Sequence, residues 1–103
     1  MTIAVLVTIP KGKAKRLAKK LLERKVCACV NILKEVESLF WWKEKIDTAK
    51  ESLLIIKTQT HLFEKLKETI KKYHPYDIPE VIGFKIDNVN KDYLDWIKEE
   101  TCD

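Results

Sequence analysis

Residues Ile3–Ile9 form a nearly continuous apolar run rich in β-branched side chains, which predicts a short strand buried on both faces and closed by Pro10. From Lys11 to Lys25 the period changes. Apolar side chains fall at Ala14, Leu17, Ala18, Leu21 and Leu22, the stripe of an amphipathic helix. Val26–Trp42 then reads as extended, first apolar on both faces in "VCACVNIL" and then mixed in "KEVESLFWW". A second extended run with "SLLIIKT" at its centre follows "KEK", and the two runs are expected to pair as a hairpin. Thr60 is placed to cap a helix over His61–Tyr73 whose inner side carries Leu62, Phe63, Leu66, Ile70 and Tyr73, and Pro75 stops it. Glu80–Ile86 reads as a fourth strand. Asn90 precedes a last helix bearing Tyr93, Leu94, Trp96 and Ile97.

The order strand, helix, strand, strand, helix, strand, helix contains two βαβ-like halves. It predicts an α+β, ferredoxin-like split βαβ sandwich with a long β2–β3 hairpin and an extra C-terminal helix, in one domain over residues 1–103. The hairpin is too long for such a domain. Seventeen residues in one straight strand would span about 57 Å at ~3.4 Å each, against a diameter of roughly 35 Å for a compact chain of this size. Either the strand kinks at a bulge or the hairpin projects. A projecting hairpin exposes Leu39, Phe40, Trp41 and Trp42, and a large exposed apolar patch marks an interface. The chain is therefore expected to oligomerise through this hairpin.

Composition narrows the class. With 46% apolar and 35% charged residues the chain is globular rather than disordered. No segment reaches the ~20 apolar residues of a membrane span, and "MTIAVLVTIP" lacks the marks of a signal peptide. Three cysteines, an odd number, point to free thiols in a reducing cytoplasm. The net charge of +4 does not demand nucleic acid. The basic residues nevertheless crowd into Lys11–Lys25, where eight of fifteen positions are Lys or Arg. A solvated helix face is the plain reading of that run, and a phosphate- or nucleic-acid-binding stripe is the functional one. RNA binding on the sheet needs aromatics on its central strands, and Ile3–Ile9 has none.

Few residues suggest chemistry. Cys27 and Cys29 on one strand face could approach a soft ion, but Val, Ala and Val around them favour plain core packing. Cys102, beside the C-terminus, is expected to be exposed. His61 reads as a neutral surface imidazole at a helix start. His74, in "KYHPYDIPEVIGF", is the better candidate ligand, with Tyr73, Tyr76, Asp77 and Glu80 offering oxygen donors nearby; the alternative is a capping His in a Pro-ordered connector. Glu51 and Lys57 flank the apolar run of the third strand and read as solvated strand ends. No phosphate loop, nucleophile elbow or metalloprotease pair is present, so no catalytic residue is expected.

The stretches "VTIPKGKAKRLAKKLLERK", "ACVNI", "FWWKEKID", "LLIIKT", "HPYDIPEVI" and "DYLDWI", in that order, resemble the CutA family of divalent-cation tolerance proteins over essentially the whole chain. The resemblance implies a non-enzymatic homotrimer responding to divalent metal ions, with a divalent or copper ion as ligand. It also suggests an alternative role as a trimeric small-molecule or anion sensor, or signalling adaptor, like the nitrogen-regulatory trimers. The family's copper positions, a first-strand Cys and two adjacent His, fall here on Val7, Tyr73 and His74, so His74 alone is retained. Tyr76 and Lys57 are expected to line a cleft between subunits. Glu44 stands where many relatives have Gly in the hairpin turn; if that position needs a positive φ, Glu44 carries a small strain.

Overall fold

The computed structural model describes Met1–Thr101. Its elements are β1 (Thr2–Pro10), α1 (Ala14–Glu23), β2 (Cys29–Trp42), β3 (Lys45–Gln59), a 3₁₀ turn (Thr60–Leu62), α2 (Phe63–Tyr73), β4 (Ile82–Ile86) and α3 (Lys91–Glu100). The strands form one antiparallel sheet in the order β2-β3-β1-β4. This is the expected α+β, ferredoxin-like arrangement of two interleaved βαβ halves.

The core lies between the sheet and α1 and α2. Strand alternation sends Ile3, Val5, Val7 and Ile9 of β1 and Leu54 and Ile56 of β3 to one face. There they meet Ala14, Leu17 and Leu21 of α1 and Leu66 and Ile70 of α2. The opposite face of β1 is only half-covered at Ala4, Leu6 and Thr8, so the strand alternates rather than being buried on both sides. By the same alternation Gln59 and Cys29 belong to that outer face, and α3 packs over its end. Ile97 of α3 is fully buried, and the Gln59 side-chain amide donates to Thr101 Oγ1 at 2.7 Å.

The helix ends differ from expectation in instructive ways. Thr60 is no side-chain cap: its backbone N–H donates to the Met1 carbonyl at 2.8 Å, and the chain enters α2 through the 3₁₀ turn. Asn90 does occupy the N-cap of α3, without a side-chain hydrogen bond. At the other end of α1, Val26 N–H donates to Leu21 O and Lys25 N–H to Leu22 O. These are the paired bonds of a Schellman motif, and Lys25 takes the left-handed conformation (φ +56°) usually given to Gly.

The long hairpin both kinks and projects. β2 pairs with β3 in continuous register from Cys29↔Lys57 to Leu33↔Leu53, then resumes at Val36↔Glu51 with one extra residue on β2. This is a β-bulge. Beyond it, residues 36–50 form an arm that stretches the molecule to 45 Å. The arm ends in a two-residue loop, Lys43 and Glu44, both with positive φ (+50° and +66°). That is the type I′ geometry that matches the twist of paired strands, so Glu44 does hold the conformation that favours Gly.

Candidate functional site

Pro75 sets the local structure around His74. A residue preceding proline is pushed out of the helical region, and His74 turns extended (ψ 139°) and ends α2. Its ring then tucks under the connector, 7% exposed. The Tyr76 backbone N–H donates to Nδ1 at 3.1 Å, which fixes that nitrogen as the acceptor. Nε2 therefore carries the proton and donates to the Thr8 carbonyl at 2.7 Å. The imidazole is a neutral staple between β1 and the α2–β4 connector, and neither nitrogen presents a spare lone pair.

Tyr76 stacks obliquely on that ring, with centroids 4.9 Å apart, and reaches across to β3, where its hydroxyl donates to Glu51 Oε2 at 2.9 Å. Glu51 is 5% exposed. The reading of Glu51 as a solvated strand end is thus corrected: the carboxylate is buried beside the bulge and held by a phenol. The signal was faint, a Glu-Ser pair interrupting apolar alternation; Ser52 also turns inward and donates to the Lys34 carbonyl of the bulge at 2.6 Å. Glu80 lies near enough to feel this charge. Partial burial first, and repulsion from Glu51 second, raise its carboxyl above the ordinary range. The Tyr76 phenol is raised too, by desolvation and then by Glu51.

The other candidates disperse. Lys57 sits half-buried on the outer face, in register with Ala4 and Cys29. It is six residues from Glu51 along β3, about 20 Å at ~3.3 Å per residue, so one chain does not bring Lys57 to Tyr76. Val7 is fully buried in the core. Tyr73 diverges from His74 and faces α1, where the Arg24 guanidinium donates to its hydroxyl. Asp77 and His61 are exposed. Cys27 and Cys29 do not share a strand, because Cys27 lies in the connector before β2. Burial, then the neighbouring Cys29, push the Cys27 thiol up to about 12, so it stays protonated and is a poor ligand for a soft ion. Cys102 lies outside the described residues. Among the described residues no group of three or more His, Cys, Asp or Glu side chains converges to hold a metal ion. His74 with its two occupied nitrogens is thus no ready metal site.

Exposure concentrates on the arm and the outer face. Leu39, Trp41 and Ile46 are 64%, 73% and 64% exposed. Trp41 is directly opposite Ile46, and Leu39 lies two residues along the same face. Phe40 and Trp42 project from the other face. Phe84 and Ile82 on β4 are also exposed.

A split-βαβ domain with a bulged, aromatic-tipped arm defines the class of protein. The comparisons with known proteins narrow it. The profile of the CutA1 divalent ion tolerance protein family matches residues 3–100. The chain is 42% identical to the divalent-cation tolerance protein CutA of Thermus thermophilus over 98% of its own length and 99% of that protein's. The solved structure of the Thermus protein superposes with a TM-score of 0.96, covering 99% of this chain and 100% of that one. This chain is 46% identical to the chloroplastic protein CutA 1 of rice, matching 97% of its own length but spanning only 57% of the rice protein. A structure described as the periplasmic divalent cation tolerance protein CutA of Archaeoglobus fulgidus gives a TM-score of 0.94 at 39% identity, over 97% of this chain and 98% of that one. The chain belongs to the CutA family. No helix among the described residues is long and apolar enough to cross a membrane.

Proposed function

We propose that this chain is a non-enzymatic, cytoplasmic homotrimer serving in tolerance of divalent metal ions. The carrying observation is its match along nearly its whole length to proteins named for that tolerance. The arm supports the assembly, because Leu39, Phe40, Trp41 and Trp42 are exposed aromatic and aliphatic side chains that a lone subunit leaves in water. In the trimer these four residues form the subunit contact. Tyr76 of one subunit and Lys57 of the next line the cleft between them, since a single chain holds the two apart.

His74 acts in this reading as the staple of the cleft wall. A copper or other divalent ion reaching its ring displaces either the Tyr76 N–H or the proton shared with Thr8. The assembly is tested by mass measurement in solution at micromolar concentration, where three chains per particle are expected and a monomer refutes it. The metal part is tested by calorimetric titration of copper and zinc into wild type and His74→Ala. Equal binding by both removes His74 as a ligand, and loss in the variant alone restores it.

A further inference from the structure

The basic run of α1 is unused by the reading above, yet part of it lines a cavity. This cavity, about 550 Å³, lies between the N-terminal half of α1 and the C-terminal end of α2. That volume is in the range of small-molecule sites. Lys13, Arg16 and Lys20 enter it from α1 and Lys72 from α2, and no carboxylate lines it. None of the four takes part in an ion pair among the described residues.

Three further observations belong to the same place. Lys20 Nζ, Arg24 Cζ and Lys72 Nζ all lie within 5.6 Å of the centroid of one ring, Tyr73. A ring quadrupole has two faces and no net charge, so it attracts these cations without neutralising them. The N-terminus of α1 opens here as well, with no side-chain cap and no acidic residue in its first turn, although anions are favoured at that position. Gly12, also in the lining, has φ +93° and nothing within 4 Å of the position a Cβ would take, so the backbone is open to close approach.

We propose that this cavity binds a small anion bearing two or more linked phosphate groups. Lys13, Arg16 and Lys20 follow i, i+3, i+7 spacing and so share one helix face. Seven residues rise about 10 Å, too long for one phosphate and suited to a di- or triphosphate laid along α1. Lys72 closes over it from α2. Ile9, Pro75 and the Tyr73 ring supply an apolar wall for whatever organic group the phosphates carry. The site is independent of the metal role: its failure leaves the trimer and the metal titrations untouched.

The test is calorimetric titration at low salt with EDTA present, using inorganic tripolyphosphate, pyrophosphate, orthophosphate, ADP and adenosine. Tripolyphosphate and pyrophosphate are expected to bind, orthophosphate at least tenfold more weakly, and adenosine not at all. ADP binding above the pyrophosphate level assigns the source to an organic diphosphate, and binding at or below it to an inorganic one. The Arg16→Gln/Lys72→Gln double variant is expected to lose at least tenfold in tripolyphosphate affinity, while the charge-matched Lys85→Gln/Lys98→Gln variant stays within twofold of wild type. Should the cavity variant fail to fold, the amide resonances of Gly12, Lys13 and Tyr73 in the wild type must shift on tripolyphosphate addition. Silence in the wild-type titrations, equal losses in both double variants, or shifts spread evenly over all surface lysines overturns the proposal.

Discussion

The sheet shows two uses of the same kind of side chain. On β1 and β3, Val5, Val7, Leu54 and Ile56 are fully buried within their own subunit. Towards the tip of the β2–β3 hairpin, Leu39, Trp41 and Ile46 stand more than half exposed. Both regions alternate with the period of a strand, and each carries a face lined by large apolar side chains. What separates them is cover: α1 and α2 lie over the first region, and nothing among the described residues covers the second. One region is covered by its own chain; the other is the open surface on which the proposed assembly rests.

Breaking the arm is expected to have the largest effect. Trp41→Asp with Ile46→Lys places charges on the apolar face and should reduce the particle to monomers by sedimentation, while far-ultraviolet circular dichroism keeps the signature of the sheet. If the double variant stays assembled, the arm is not the contact. The core counterpart is Leu54→Ala, which opens a cavity between sheet and helices and should cost about 2–5 kcal/mol in denaturant unfolding at unchanged stoichiometry. The two variants thus separate assembly from subunit stability.

His74→Ala comes next. It strips partners from the buried Thr8 carbonyl and the Tyr76 N–H, and should lower stability by roughly 1–3 kcal/mol in metal-free buffer. A variant as stable as wild type would count against the staple and in favour of a ligand role. Glu44→Gly should stabilise the hairpin by about 0.5–1 kcal/mol, because Gly has no Cβ to oppose φ +66°. The smallest effect belongs to Glu80. Its carboxyl is raised in the folded chain, so folding favours the protonated form and stability falls as pH rises through the carboxylate range. Glu80→Gln should therefore flatten that decline between the ordinary Glu value and neutrality, and match wild type below it, as followed by Tm against pH.

Much of this comparison was legible in the sequence. Periodicity located the strands and the inner faces of the helices, because burial against one sheet face imposes a two- or 3.6-residue repeat. The mismatch between strand length and domain size exposed the arm. Buried polar pairing left no comparable trace. Glu51 looked solvated because its partner, Tyr76, lies 25 residues away and meets it only through the turn that Pro75 enforces. The His74 tautomer depends on Thr8, 66 residues distant, which no local spacing reveals. Likewise the Lys11–Lys25 run gave its charge but not its concavity, since the opposing wall comes from Lys72 and Tyr73 on another helix.

The bulge between Leu33 and Val36 sets the phase of the arm. Because β2 spends one more residue there than β3, Leu39 and Trp41 travel on one side and Phe40 and Trp42 on the other, out of step with Leu33 and Asn31 below. Deleting Lys34 alone would close the bulge and leave every pair from Val36↔Glu51 outward as it is, because residues facing each other across two strands share one side of the sheet. Trp41 would keep the side of Ile46, and what would go is the bend and extra twist that the surplus residue gives the strand. The surface of the arm would be unchanged and its direction altered, so the bulge works as the joint that aims the arm.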